Sequence, residues 1–231
     1  MSHPQQPLPF AFDMAPAFDN FHVGENTLAF NLLSGLQSES QIQQIYLWGG
    51  SQCGKTHLLM ATHQHWLLSG HQSFYISLRS SRYTATVLEG LDGYGLVVLD
   101  DIHNVAQHSD WEIGLFNLIN DCRERGCKLL LSADRTPDSV GWTLADLRSR
   151  LSWGPVVKLR VLSEADVRNA MLNSAHARGL QLDADAADFL MRRHSREVNS
   201  LLAAIAKLDS ESLAAGRARI TIPFLKRCFS I

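Results

Sequence analysis

Hydrophobic and polar positions along the chain follow two alternating periods. Short apolar runs occur at Ile42–Trp48, Ser73–Leu78, Tyr94–Leu99, Lys128–Ser132 and Val156–Leu159. Between them lie stretches with helical spacing, at Asn26–Leu36, Thr56–Leu68 and Trp111–Arg125. In the first of these, Leu28, Leu32 and Leu36 are expected to form the buried stripe. The run Leu96-Val97-Val98-Leu99 has no polar partner positions, as expected of a strand covered on both faces. Strands alternating with helices predict an α/β fold, a parallel five-stranded sheet flanked by helices.

After Arg160 the strands stop. Ser163, with Asp166 three positions on, is a weaker form of the capping box and starts a helix at about 164–178. Helices at 184–194 and 196–215 follow, and a last one starts near Pro223, a residue suited to a first turn. At the other end, residues 1–17 contain four prolines and no helical period, so they are expected to form an extended, poorly ordered tail. The expected organisation is therefore a tail over 1–17, an α/β domain over 18–160 and a small all-helical domain over 161–231.

Composition narrows the function classes. The 231 residues are 45% hydrophobic and 19% charged, which excludes a fully disordered chain. The formal charge of −2 provides no global field for DNA or anionic lipid. Residues 1–160 hold 11 basic and 15 acidic side chains, net −4, and residues 161–231 hold 10 and 8, net +2. No apolar run approaches the roughly 18 residues of a membrane span, and the N-terminus has no secretory pattern. The four cysteines (Cys53, Cys122, Cys127, Cys228) form no C-x-x-C pair, which favours a reducing cytoplasm over a disulfide or zinc framework. His63 and His65, and His103 and His108, miss helical ligand spacing, so no histidine metal site is expected.

The candidate chemistry begins at Gly49-Gly50-Ser51-Gln52-Cys53-Gly54-Lys55-Thr56, which fits G-x-x-x-x-G-K-[ST] and stands between a strand and a helix. Glycines let the backbone bend around phosphate oxygens, and the positive end of the following helix faces the anion. Lys55 would place its ammonium between the β- and γ-phosphates, and the Thr56 hydroxyl would coordinate Mg²⁺. Cys53 at the helix start favours thiolate, although a small loop-filling residue serves the same place. Leu96–Leu99 ends in Asp100 and Asp101. In a P-loop protein Asp100 would hold Mg²⁺ through its water shell, and Asp101 would lie beside the attacking water, where glutamate is more usual. The competing role for either carboxylate is a helix cap. A third strand ends in Ser132-Ala133-Asp134-Arg135. Asp134 could read the γ-phosphate or orient water, or it could cap a helix at 136–140.

Several motifs in this order resemble those of the AAA+ ATPases, specifically the branch of the replication initiator DnaA. Phe18–Asn26 resembles the initiator's adenine-contacting segment, Asp100–His103 its Walker B and Ser132–Arg135 its sensor 1. Leu147-Arg148-Ser149-Arg150-Leu151-Ser152-Trp153-Gly154 resembles its box VII, which carries an arginine finger, and Arg196 stands where the sensor 2 arginine is expected. The resemblance spans about 18–231. It implies an AAA+ sheet followed by a helical lid domain, with adenine nucleotide (ADP or ATP, with Mg²⁺) held by Phe21, His22, Val23, Gly49–Thr56, His57 and Arg196. Asp101, Asp134 and Arg150 carry the chemistry; a surface salt bridge is the bland role for Arg150, and Arg148 is its rival as finger.

Two departures point away from a full initiator. No helix-turn-helix follows, and the Arg79–Gly93 stretch keeps only Arg79, Arg82 and Tyr83 of a DNA-gripping insertion, so strong direct DNA binding is not expected. The tail Gln5-Gln6-Pro7-Leu8-Pro9-Phe10 is similar to motifs that dock on the DNA polymerase III sliding clamp, with Gln5 as polar anchor and Leu8 and Phe10 filling an apolar groove. Together these features resemble the Hda family of regulatory AAA+ proteins. That likeness implies Arg150 acting in trans on ATP bound to DnaA, with the clamp as tether, an ADP-bound active form, weak self-hydrolysis, and a cytoplasmic protein brought to the nucleoid by the clamp. Homo-oligomerisation stays open. The alternatives are a helicase-loader-like AAA+ ATPase and an unrelated P-loop kinase.

Overall fold

The computed structural model describes residues 15–36, 41–80, 82–193 and 198–229. Two compact units are present, Ala15–Val161 and Leu162–Ile231. The first is built on five parallel strands: β1 (Gln44–Trp48), β2 (Ser73–Ser77), β3 (Leu96–Asp100), β4 (Lys128–Ala133) and β5 (Val156–Lys158). Their spatial order is β2-β3-β4-β1-β5. Helices α1 (Thr27–Ser34), α2 (Lys55–Leu68), α3 (Ser109–Arg125) and α4 (Ala145–Leu151) complete the unit.

The continuous apolar runs are explained by burial on both faces. Ile45 and Leu47 of β1 join Leu96, Val98 and Leu130 in a core with Leu58, Leu59 and Trp66 of α2. Tyr46, Val97, Leu99, Leu129 and Leu131 point the other way, against Leu115, Leu118 and Ile119 of α3 and Leu147 of α4. Adjacent residues of one strand thus feed different cores, as the two-residue period requires. The register pairs Ser77 with Asp100, Leu99 with Leu131 and Trp48 with Ala133, so the polar strand ends gather at one rim.

Two elements depart from the periodicity reading. In α1 the buried residues are Ala29 and Leu33, continued by Leu36, whereas Leu28 is 65% exposed. Positions 29, 33 and 36 keep i, i+4, i+7 spacing; the 28–32–36 set drifts off the face after each step of four. Helix α4 was absent from the expected elements. Its seven residues carry only Leu147 and Leu151 as buried positions, too few for a visible period.

External side chains hold both ends of α4. The buried Glu112 carboxylate accepts the backbone N–H of Thr143 (3.1 Å) and Leu144 (2.6 Å) at its start, and also that of Gln107 (2.8 Å). The carboxylate thus fixes the N-cap residue Leu144 and the residue before it, placing a negative charge at the start of the helix. At the other end the Gln44 amide donates to the carbonyls of Arg150 (2.9 Å) and Leu151 (3.1 Å). The chain then passes so close to β1 that a Cβ on Gly154 would lie 1.9 Å from the Gln44 carbonyl oxygen.

The second unit contains α5 (Glu164–Ala177), α6 (Ala184–Arg193), α7 (Val198–Ala215) and α8 (Ile222–Phe229). The Ser163–Asp166 capping box is formed in both directions. Val167, Met171, Leu190, Leu201, Ile205, Leu208 and Leu225 form its core. A minimal parallel ladder, β6 (Gln181–Leu182) with β7 (Arg219–Ile220), adds two strands to a unit expected to be helical throughout. Two-residue strands leave no alternation to detect.

Gly154→Ala should be among the most destabilising single-atom additions in the α/β unit, because backbone rather than a flexible side chain must yield. We expect a loss of about 2–4 kcal/mol in urea unfolding; a variant within experimental error of wild type would contradict the close approach at Gln44.

Candidate functional site

The glycine-rich loop leaves β1 and enters α2. Gln52 (φ 65°) and Gly54 (φ 94°) both take left-handed backbone, which curls the loop back over the helix start. Gly54 is needed for a second reason: a Cβ there would meet the Phe21 ring at 2.8 Å. Inside the loop the Lys55 ammonium donates to the carbonyls of Gly49 (2.7 Å) and Gly50 (3.0 Å) and lies 3.8 Å from Cys53 Sγ. Lys55 is 9% exposed, which is uncommon for a lysine outside a binding site.

Residues 18–23 lie against this helix start. The Phe21 ring stacks on Phe30 at 6.1 Å and lies 5.4 Å from the His57 ring. One His57 ring nitrogen is 3.0 Å from the Ala17 carbonyl oxygen. Burial, and next the neighbouring His57, lower the His22 pKa below its ordinary value. Phe21 and His22, far in sequence from Gly54 and His57, therefore form one wall with them.

Asp100 is the centre of the rim. Buried to 1% exposure, its carboxylate accepts Thr56 Oγ1 (2.7 Å), the Tyr75 hydroxyl (3.1 Å) and Ser132 Oγ. The Asp101 backbone N–H donates to Ser132 Oγ at 2.8 Å, closing the connection between β3 and β4. These bonds join the helix start, β2, β3 and β4 through one anion. Charge-assisted hydrogen bonds make such burial tolerable. Burial, then Asp100, raises the Tyr75 pKa well above its ordinary value, so the phenol remains a donor. Tyr75 is a site residue that the sequence does not announce; the strand register brings it there, two positions before the β2 residue paired with Asp100.

Asp101 takes left-handed backbone (φ 59°) at the start of a single 3-10 turn and makes no side-chain cap. Its carboxylate, 6% exposed, instead pairs with Arg79 at 3.1 Å. Asp134 likewise caps nothing: the turn Pro137–Ser139 starts from Thr136. Both Asp134 oxygens bind Arg135 (2.9 and 2.6 Å), and those bonds hold its pKa below the ordinary carboxylate value.

Arg150 lies on α4, half-buried. Its guanidinium rests 4.0 Å from the Trp153 ring centroid and 5.4 Å from that of Phe116, and its Nε is buried without a hydrogen-bond partner. Arg148 is more exposed and pairs with Asp138 at 3.5 Å. Among the described residues Arg150 has no ion pair, so the surface salt bridge assigned to it as a bland role is the one Arg148 makes. Gln5, Leu8, Phe10 and Arg196 lie outside the described residues.

Two family models match the chain. One, described as the bacterial DnaA ATPase domain, matches residues 12–158, and one described as the Hda lid domain matches residues 164–229. An uncharacterized protein of Haemophilus influenzae is 36% identical over 229 residues, covering 98% of this chain and 99% of that one. Among solved structures, domain III of the Thermotoga maritima replication initiation protein DnaA aligns with a TM-score of 0.73 at 18% identity, covering 94% of this chain and 97% of the other. AMPPCP-bound DnaA from Aquifex aeolicus aligns at 0.71 and 22% identity, covering 88% and 68%. RuvB of Thermotoga maritima aligns at 0.65 and 15% identity, covering 93% and 71%. At these identities the structural likeness speaks for the fold.

A histidine whose folded pKa is depressed contributes stability that is full above its unfolded value and is lost as pH falls through the folded one. His22 has that sign, with an unfolded value of 6.5, and so does His63, lowered by burial. Urea melts from pH 7.5 down to 5 should therefore show declining stability below about pH 6.5, and the decline should be shallower in His22→Gln. An identical acid slope in that variant would remove His22 from the buried wall.

Proposed function

The chain belongs to the bacterial DnaA ATPase-domain family, and we propose that it is a regulatory AAA+ protein that completes the nucleotide pocket of the initiator DnaA in trans. In this reading its own P-loop holds adenine nucleotide. Gly49–Thr56 cradle the phosphates, Lys55 turns from the loop carbonyls to the phosphate oxygens, and Phe21, His22, Val23 and His57 line the base side. Arg196, outside the described residues, joins from the sequence alone as the lid contact. The donors present suit Mg²⁺: the Thr56 hydroxyl, and the Asp100 carboxylate through the ion's water shell, are hard oxygen groups brought together by their hydrogen bond. When bound it would neutralise phosphate charge.

The observation that carries the trans reading is the contrast between Arg148 and Arg150. A finger must bring an uncommitted cation to the charge that develops on the γ-phosphoryl oxygens, where it contributes about 10³–10⁵ in rate. Arg148 is committed to Asp138; Arg150 is held by an aromatic ring and spends no charge on an acid. The chain's own hydrolysis is expected to be weak. Asp101, already a methylene short, is engaged by Arg79, and Asp134 by Arg135. ADP is the nucleotide such a site would retain. The match of residues 164–229 to the Hda lid domain supports a regulator over a helicase loader.

The clamp belongs to the same proposal on sequence grounds, through Gln5, Leu8 and Phe10. Tethered on DNA, it would raise the effective concentration of initiator and regulator for one another. The product is initiator-ADP, unable to start a further round.

The test is a reconstituted assay with initiator-ATP and DNA-loaded clamp. Arg150→Ala should lower stimulated hydrolysis by about three orders of magnitude while this chain still binds nucleotide. Full stimulation by that variant would end the finger assignment. Gln5→Ala with Leu8→Ala should abolish retention on immobilised clamp without affecting nucleotide binding; unchanged retention would remove the tail from the proposal.

A further inference from the structure

Among the arginines of the α/β unit Arg82 bonds to its neighbour Ser80, and the others fall into two groups. Arg79, Arg125, Arg135, Arg148 and Arg160 each hold a carboxylate, on Asp101, Asp92, Asp134, Asp138 and Glu25 respectively. Arg123 and Arg150 hold an indole instead: their guanidinium carbons lie 4.1 and 4.0 Å from the same Trp153 ring centroid. Neither makes an ion pair among the described residues, although Asp121 and Glu124 flank Arg123 in sequence.

This arrangement carries a physical cost and a use. The two cations stand no more than about 8 Å apart, within a Debye length at physiological salt, so they repel and act on a third charge together. The ring quadrupole offsets part of that repulsion. A stacked guanidinium also keeps its charge, whereas a carboxylate partner would occupy its N–H donors and neutralise it. Beside Arg123 is a cavity of about 320 Å³, lined by Arg123 and Trp153 together with Gln41, Gln43 and Gln44. Among the described residues no acidic side chain lines it.

We propose that Arg123 and Arg150, sharing Trp153, form a two-guanidinium cradle for the polyphosphate of a nucleotide carried by the partner subunit. This rests on the trans reading of Arg150 and adds a second residue to it. Arg123 supplies binding charge, while Arg150 supplies the charge that matters at the transition state. Trp153 is a positioning residue, since it fixes the plane of a guanidinium whose Nε has no hydrogen-bond partner.

The two roles separate in a titration of this protein against initiator-ATP and DNA-loaded clamp, run at low and at physiological salt. Arg123→Ala should raise the half-saturating concentration by about three- to tenfold at low salt and flatten its dependence on salt, with the plateau rate kept within about twofold. Arg123→Lys, which preserves the charge, should restore the salt dependence. Arg123 is exposed, so both variants should keep the wild-type melting curve, and that measurement accompanies the titration. Unchanged half-saturation and salt dependence in Arg123→Ala would refute the cradle while leaving Arg150 as finger. A lost plateau with unchanged half-saturation would refute its binding role as well. If Arg150→Ala itself retains the plateau, the trans reading fails first, which sets that failure apart from failure of the cradle.

Discussion

Burying the Asp100 carboxylate is the constraint around which the α/β unit is arranged. A parallel sheet covered on both faces has no place for charge except at the ends of its strands. Asp100 is at such an end yet almost wholly out of solvent, so it must be surrounded by donors or be neutralised. Thr56, Tyr75 and Ser132 meet that need from three directions, and each belongs to a different element. One ionic centre thereby fixes the start of α2 against β2, β3 and β4. The loop preceding α2 inherits its place from that anchor, which is why residues of the phosphate-binding loop and of the acidic strand end come together although 44 positions separate Thr56 from Asp100.

The same logic operates at the opposite side of the sheet, with a different outcome. Helix α4 is too short to be stable by itself. Glu112 accepts the N–H groups of Thr143 and Leu144 at its start and Gln44 donates to carbonyls of its last turn, so its position is dictated by α3 and β1. Gly154 then allows the chain to return beside β1 with no room for a side chain. What α4 presents is therefore held to the sheet by polar contacts and by two buried leucines rather than by helix propensity.

How legible this was depended on whether a feature is local. The loop Gly49–Thr56 and the strand end Asp100-Asp101 could be read because the chemistry and the spacing lie in one short stretch. The five strands were visible because each centres on adjacent apolar residues. Tyr75, Glu112 and Gln44 were not legible: their functional partners are a carboxylate in another strand and backbone groups of α4, and neither leaves a mark in nearby sequence. The α1 stripe was legible only in part. Leu36 is buried as expected, but Leu28 is exposed, because burial within the helix follows the face of Ala29 and Leu33. The minimal β6–β7 ladder needed residues 181–182 and 219–220 to be seen side by side.

Charge commitment gives the two halves of the proposed mechanism a common physical basis. An acid that is to polarise water, or a cation that is to meet a phosphoryl group, works best when nothing within its own fold has already claimed it. In this chain Asp101 and Asp134, the acids to which the resemblance gives the chemistry, are both held by arginines. Arg150 is held by a ring, which fixes its orientation without discharging it. A carboxylate at the same distance would have given equal rigidity and left a neutral pair. On the proposed reading, selection between ring and carboxylate as the support for an arginine distinguishes a side chain that stabilises this fold from one that serves another molecule. The distinction is local, since it separates Arg148 from Arg150, two positions apart on one helix.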